Sequence, residues 1–392
     1  MGEHIISAIW IALAAAQSLP PANAQSIEIR FCPESRVRTY PLDSLRGVQG
    51  LLLQNVAIIN RGRTPLTLER IVIQLRSNGN AIDERRFGQE QIAAAAKSGA
   101  GAKAQGMFEL AGFQFCDGRL LDRASVATTG ILQPGEALLL MQNVFAYKGT
   151  RSDVQVIAAG LASTTRVTAQ ASVPIDSATS KTAFRWPLNQ SRAWLVGAGA
   201  SFHSTHRWAV PEEFALDIIA IDGSGSTHRR SGAENTDFYA YGADVVAAAD
   251  GLVVRTIEGV DEPLPMLRRP SESMQAYYGR ISTQQAANML RGEQGVSGNA
   301  VVLDHGNEEY SIYAHLSPGS VRVKNGQRVA SGQVIGKLGS SGNSTEPHLH
   351  FQVCDKPSTL SCAGIVPTFT QVRVLNADGP RPIQSGDLVQ PD

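Results

Sequence analysis

Short runs of branched apolar residues, separated by polar turns, fill the first half of the chain. Residues 51–60 (LLLQNVAIIN) and 66–75 (LTLERIVIQL) are two such runs, and the turn sequence SNGN follows the second. Similar runs occur at residues 137–146, 153–157 and 165–173. Short strands at this spacing are typical of an all-β domain. We therefore expect a mainly β protein in which residues 25–178 form an immunoglobulin-like β-sandwich.

One segment of this half has a different pattern. Residues 88–98 (GQEQIAAAAKS) are rich in alanine, which has the highest helix propensity, so a short helix is predicted there. The polar stretch IDSATSK at residues 175–181 ends the series of strands, and we place the domain boundary within it. No group of chemically active residues stands out before this boundary. We therefore expect the first domain to have a binding, positioning or inhibitory role, with a protein partner as one possibility.

Seven of the eight histidines follow the boundary, and two of them begin an alternating run, EPHLHFQV, at residues 346–353. Side chains on a strand alternate between its faces, so the apolar side chains of this run would point into a core. His348 and His350 would then share the opposite face with Gln352, with the two imidazoles roughly 7 Å apart. That spacing suits one metal ligand and one neighbour acting on the same substrate.

The same alternation is present in EYSIYAHLS, residues 309–317. It assigns Ile312, Ala314 and Leu316 to an apolar face. The opposite face would consist of Ser311, Tyr313 and His315. This strand would therefore present a third histidine to the polar side of the sheet.

A carboxylate interrupts the apolar run at residues 214–221. Asp217 lies within FALDIIA, where an unpaired charge is costly unless a positive group or a metal ion meets it. Two histidines and one aspartate as protein ligands leave an open position on zinc, which is the arrangement of a catalytic site.

Composition and charge exclude some functions. The chain has 392 residues, 43% of them hydrophobic, which suits two domains with cores of their own. Lys plus Arg and Asp plus Glu are equal at 35 each, so no overall field attracts nucleic acid or anionic lipid. We expect no nucleic-acid partner, and specificity has to come from a local site.

The four cysteines are Cys32, Cys116, Cys354 and Cys362. An even count in an exported protein favours disulfides, and four cysteines allow three pairings. We favour Cys32–Cys116 and Cys354–Cys362, because each pair would lie within one domain. The alternatives are a thiolate zinc site, which lacks the usual C-x-x-C pair, and reduced cysteines without a chemical role.

The first 24 residues have the pattern of a signal peptide. An apolar stretch at residues 5–16 precedes the small-residue sequence Ala22-Asn23-Ala24, although Glu3 and His4 stand where basic residues are usual. The stretch is too short to span a bilayer, and no later segment is predicted to be transmembrane. We expect export, with the mature chain beginning near Gln25 and located in the periplasm or secreted.

The second half resembles a known family. Residues 299–353, with YAHL and SGNSTEPHLHF, and residues 241–254 (YGADVVAAADGLVV) resemble the lysostaphin-like, or LytM-type, zinc metallopeptidases. These enzymes cleave peptides of bacterial peptidoglycan. The resemblance spans residues 194–366. It implies that residues 179–392 form an antiparallel, barrel-like β-sheet domain with the duplicated hybrid motif fold, one zinc ion and peptidoglycan peptides as substrate.

The resemblance also implies roles for individual residues. His350, the second histidine of HLH, matches a zinc ligand of the family, whereas His348 and His315 match its two catalytic histidines. The remaining two family ligands, a histidine and a later aspartate, match His206 and Asp217. Ten residues separate these two here, where the compact form of the family has only a few, and His203 is the alternative to His206.

A second departure from the family is an insertion at about residues 258–296, which contains the helix-like STQQAANMLRG and the pair Tyr277-Tyr278. It could form a wall of the substrate groove, a lid over it, or a surface excursion.

The chain contains no H-E-x-x-H motif, so the usual glutamate base of a metalloprotease is missing. In the family, the two catalytic histidines take over its role. Three alternatives stay open: a silent relative that activates other cell-wall hydrolases, a metallopeptidase that acts on proteins, and a carrier module. The carrier-module alternative rests on the segment VRVKNGQRVASGQVIGKLG, which resembles the β-hairpins of biotinyl and lipoyl carrier proteins. Lys337 in this segment lacks the flanking residues that those carriers have.

Overall fold

A computed structural model describes residues 27–43, 46–104, 125–189, 192–201, 203–204, 206–377, 379 and 381–392. The predicted signal peptide, residues 1–24, lies outside these residues. Within the described part, no helix is both long enough and apolar enough to cross a membrane.

The branched apolar runs of the first half form long strands. Its strands are β1 (Ile27–Cys32), β2 (Val37–Asp43), β3 (Val48–Asn60), β4 (Leu66–Ser77), β5 (Asn80–Phe87), β6 (Ser125–Val126), β7 (Ile131–Leu132), β8 (Glu136–Lys148), β9 (Asp153–Ala162) and β10 (Thr165–Asp176). The predicted helix is confirmed as α1 (Gln89–Ala104), which is longer than its prediction and packs Ile92 and Ala96 on the core.

These strands form two sheets. One contains β1, β2, β3, β8 and β6, the other contains β5, β4, β9, β10 and β7, and a short parallel pairing of β2 with β10 connects them. Side chains from both sheets, including Leu53 and Ile58 of β3 and Ile73 of β4, share one core. The first half is therefore a sandwich of two sheets, and its immunoglobulin-like character stays a prediction.

The second half contains shorter strands and two helices. They are β11 (Ala183–Phe184), β12 (Trp194–Ala198), β13 (Leu216–Ile219), β14 (Asp244–Val246), β15 (Gly251–Ile257), α2 (Met274–Met289), α3 (Gly292–Ser297), β16 (Asn299–Asp304), β17 (Tyr310–Leu316), β18 (Arg328–Val329), β19 (Val334–Lys337), β20 (Leu349–Cys354), β21 (Thr368–Phe369), β22 (Val372–Val374) and β23 (Leu388–Pro391). Both helices lie in the predicted insertion, and α2 includes the tyrosine pair.

A nine-stranded antiparallel sheet dominates this half, in the order β18-β15-β16-β17-β20-β13-β12-β23-β22. One of its faces packs against the two-stranded sheet β14–β19, with Tyr313 and Phe351 meeting Val245 and Ile335 in the core. The opposite face of the nine-stranded sheet carries the side chains of the candidate site. This sheet confirms the mainly β, antiparallel prediction, and the tail strands β22 and β23 extend it beyond β12.

The predicted disulfide Cys354–Cys362 is present. Cys32 is also disulfide-bonded. Cys116 lies outside the described residues, and so does the predicted pairing Cys32–Cys116.

Candidate metal centre and catalytic groove

Three neighbouring strands, β17, β20 and β13, expose polar side chains on the face that points away from the core. On β13, Leu216 and Ile218 enter the core, so Asp217 between them points to the opposite face. Asp217 is the direct cross-strand neighbour of His350. Strand alternation predicted the face of His350, and a carboxylate in an apolar run singled out Asp217; the pairing of β13 with β20 brings the two side chains together.

His206 reaches this face from a loop rather than from a strand. It begins a short 3-10 turn, His206–Trp208, and its Nε2 lies 3.2 Å from Asp217 Oδ2. On the other side, His350 Nδ1 lies 3.0 Å from Asp217 Oδ1. One ligand atom from each of the three residues lies within 4.8 Å of the others. His203 is exposed and does not belong to this group.

The donor set of this group suits a metal ion. Two imidazole nitrogens and one carboxylate oxygen are ligands that zinc accepts in proteins, and three protein ligands leave a position for water or substrate. Gln352 strengthens the fit, because its Oε1 accepts a hydrogen bond from His350 Nε2 at 2.6 Å. A proton on Nε2 leaves Nδ1 unprotonated, which is the form that binds a metal. Alternation placed Gln352 on this face, but no motif in the sequence assigned it a role.

His315 enters the groove in a way that simple alternation does not predict. Its φ angle is +62°, and the pairing of β16 with β17 shifts register between Asn299 and Val301, opposite this position. Tyr313 and Leu316 therefore point into the core, whereas Ala314 and His315 line the groove. The predicted faces of this strand were wrong for Ile312, Ala314 and Tyr313 and correct for His315 and Leu316. A bulge adds one residue to a strand and so reverses the alternation beyond it.

His315 and His348 lie side by side, with 4.6 Å between their ring centroids. His315 Nδ1 lies 2.8 Å from the carbonyl oxygen of Ser341, and His348 Nδ1 lies 2.8 Å from that of Glu346. A carbonyl oxygen can only accept a hydrogen bond, so both Nδ1 atoms carry the proton. In each neutral ring, Nε2 is then the basic nitrogen.

Asp217 is the negative centre of this group. Burial raises its pKa, but the charges of His206 and His348 outweigh burial and hold the pKa well below its usual range. Burial lowers the pKa of His206, yet the carboxylate of Asp217 outweighs it and raises the pKa to about 9. The carboxylate of Asp217 thus favours protonation of the neighbouring imidazoles of His206 and His348. A divalent cation bound at this group could replace such protons.

The pKa of His348 is also raised, because the attraction of Asp217 exceeds the effect of burial. The pKa of His315 is shifted in the opposite direction. Burial, together with the charges of His348 and His350, holds the pKa of His315 well below its usual range. The two neighbouring rings thus have different electrostatic surroundings.

The five predicted side chains line one groove, and two further segments provide its walls. Gln285 and Met289 of α2 and Val296 of α3 come from the predicted insertion, so this segment contributes a wall of the groove. Thr359 and Leu360, in the loop closed by the Cys354–Cys362 disulfide, form part of another wall.

Residues 275–361 match Peptidase family M23. The chain carries a peptidase family M23 domain. The matched range contains His315, His348 and His350 and begins within α2. His206 and Asp217 precede it.

Curated relatives of the M23 domain are similar over short segments. Peptidoglycan DD-endopeptidase ShyA of Vibrio cholerae is 47% identical over 57 residues, which are 14% of this chain and 13% of ShyA. Glycyl-glycine endopeptidase ALE-1 of Staphylococcus capitis is 60% identical over 40 residues, or 10% of each chain. The matches thus span far less than half the length of these relatives. The crystal structure of the catalytic domain of EnpA, a prophage-encoded M23 protein of Enterococcus faecalis, is 16% identical with a TM-score of 0.27, covering 46% of this chain and 93% of that one.

Proposed function

We propose that the protein is an exported, zinc-dependent endopeptidase that hydrolyses amide bonds in the stem or cross-bridge peptides of peptidoglycan. One observation carries the proposal: a His–Asp–His group able to hold a metal lies in the same groove as two further buried histidines. This groove belongs in part to the segment that matches Peptidase family M23. We place the activity in the periplasm.

His206, Asp217 and His350 would hold the metal. When bound there, zinc supplies Lewis-acid chemistry, because it lowers the pKa of a water molecule and polarises a carbonyl group. The burial of His206 and His350, their contacts with the half-buried Asp217 and the hydrogen bond from His350 to Gln352 would fix the ligands before the metal arrives.

His315 and His348 would carry out the proton transfers. Each ring is fixed by a hydrogen bond from Nδ1 to a backbone carbonyl oxygen, so each has Nε2 available for the reaction. One ring would accept a proton from the attacking water, and the other would stabilise the oxyanion or protonate the leaving amine. Imidazole suits both tasks near neutral pH.

The groove also fits a peptide. Met289, Ile312 and Leu360 offer apolar contacts, while the buried hydroxyl of Thr359 has no hydrogen-bond partner in the described part of the chain. The names of the relatives support peptide-bond hydrolysis but point to different bonds, a DD linkage for ShyA and a glycyl-glycine linkage for ALE-1. We therefore propose the substrate class and not one bond.

The test is digestion of purified peptidoglycan by the zinc-loaded full chain, with and without a zinc chelator, followed by mass spectrometry of the released fragments. We expect chelator-sensitive cleavage at a peptide bond, restored when zinc is added back, and the fragments would identify the bond.

Absence of cleavage by a folded, zinc-loaded sample would contradict the proposal. Two further assays would then separate its alternatives. Stimulation of a second cell-wall hydrolase would indicate a regulator, whereas cleavage of an unfolded protein substrate would indicate a general metallopeptidase.

A further inference from the structure

The loop that carries His206 touches the β-sandwich of the first half. Gln54 of β3 is buried, and its Nε2 donates a hydrogen bond of 3.1 Å to the backbone carbonyl oxygen of Arg207. Arg207 directly follows His206 in the chain. The sandwich thus reaches the loop within one residue of a proposed metal ligand.

A second set of contacts fixes the other end of the same loop. The guanidinium of Arg207 is fully buried, forms an ion pair with Glu213 and lies 4.8 Å from the ring centroid of Phe214. Phe214 in turn stacks on Tyr40 of β2, with ring centroids 6.1 Å apart. An interaction with the side chain of Gln54 also lowers the pKa of Glu213, against the larger effect of burial. Both ends of the loop are therefore attached to the sandwich.

These contacts lie behind the metal group and not across the groove. Among the described residues, every side chain that lines the groove belongs to the second half of the chain, from His206 to Leu360. In the part of the chain that the structure describes, the sandwich supports the loop and does not block the groove.

The loop needs such support for a physical reason. His206 precedes the strand that carries Asp217 by ten intervening residues and is not itself part of a sheet. Ordering a segment of this length costs conformational entropy, which weakens metal binding if the metal alone has to order it. Partners of a ligand segment that fix it in advance reduce this cost.

We propose that the β-sandwich is a structural part of the metal centre, in which Gln54 is a positioning residue for the loop that carries His206. This inference rests on the proposed metal site. It gives the first half of the chain a role within the enzyme, in addition to any partner that it binds.

The test compares two Gln→Met substitutions in the full chain, because methionine keeps the shape of glutamine and removes its hydrogen bonds. Gln54→Met removes the contacts with the loop. Gln155→Met is the matched control, since Gln155 is a buried glutamine of β9 whose side chain bonds to Ser172 within the sandwich. Zinc affinity is measured by competition with a chromogenic chelator, and the ligand geometry by the absorption spectrum of the cobalt-loaded proteins.

We expect Gln54→Met to weaken zinc binding by about 10- to 100-fold, as for other residues that support metal ligands, and to alter the cobalt spectrum. Gln155→Met should bind zinc within about twofold of the parent, the limit we set for no effect, since it makes none of the contacts that fix metal ligands. Thermal unfolding identifies a variant that does not fold. In that case Gln54→Asn, which keeps an amide but withdraws it from Arg207, replaces it.

Two results would overturn the inference while leaving the metal site intact. In the first, the parent binds zinc, the His350→Ala variant does not, and the Gln54→Met variant binds zinc as tightly as the parent. The other is an equal loss of affinity in Gln155→Met, which would show general destabilisation. A parent that binds no zinc at all would overturn the proposed function as well.

Discussion

Asp217 is a single carboxylate on a strand whose neighbouring side chains are apolar. It stays ionised although half-buried, because three imidazoles lie within 3.4 Å of its oxygens. Such a cluster stabilises little by itself, since bringing several charges out of water is costly. The proposed metal site would give this arrangement a function, and its members would then have separable roles.

The roles of His350 and His348 are separable by the same substitution at each position. His350→Ala should lose stoichiometric zinc, because it removes one of the three proposed ligands. His348→Ala should retain zinc and lose activity by about 100-fold or more, as expected for a proton-transfer group. Metal analysis of both purified variants, with peptide cleavage as the second readout, decides the matter. If both bind zinc as the parent does, or if neither does, the ligand assignment is wrong.

At the scale of elements, the groove depends on how the insertion meets the disulfide loop. Glu293 of α3 accepts hydrogen bonds from Ser358 Oγ and from the backbone N–H of Thr359, and it pairs with Arg255 of β15. One carboxylate thus connects the insertion, the sheet and the loop that forms a groove wall. The insertion is therefore a structural part of the groove.

Removing this carboxylate should loosen the groove wall without disturbing the metal. A hydrogen bond to a charged group contributes about 1.5–3 kcal/mol, and part of that loss should appear in substrate binding. We expect Glu293→Ala to raise KM about threefold to tenfold, with zinc affinity unchanged. Steady-state kinetics on a soluble peptidoglycan peptide measures the effect. The control is Glu308→Ala, an exposed glutamate at the turn between β16 and β17; a similar KM in both variants would contradict the expectation.

At the scale of the whole molecule, metal binding at the proposed site should be coupled to folding. The loop that carries His206 contacts the sandwich through Arg207, whereas Asp217 and His350 belong to the central sheet. A metal that joins the three binds only the folded chain, so it shifts the unfolding equilibrium toward the folded state. Loss of the metal should then be visible as loss of stability.

Thermal unfolding with and without zinc tests this coupling. At a free zinc concentration 100 times Kd, binding contributes about 2.7 kcal/mol. For a domain of this size we expect a rise of about 5–10 °C in the unfolding midpoint. His350→Ala should show no such shift. Equal midpoints for the parent in zinc and in chelator would rule out a metal site that depends on the fold.

The sequence alone determined the features that depend on local patterns. Strand alternation in residues 348–353 was sufficient to place His348 and His350 on one face, because that alternation is a property of the backbone. A carboxylate in an apolar run was sufficient to single out Asp217. The alanine-rich segment formed α1 for a similarly local reason. The resemblance of YAHL and HLH to a known family was sufficient to group the histidines into one site.

Tertiary structure decided what local patterns do not contain. The choice of His206 over His203 depends on a loop whose path is set by contacts with Gln54 and Phe214. The bulge at His315 depends on the register of β16 against β17, and it reversed the predicted positions of Tyr313 and Ala314. Contacts between residues far apart in the chain fix both features, because neither the path of a loop nor the register of a strand pair is encoded by the periodicity of its own residues.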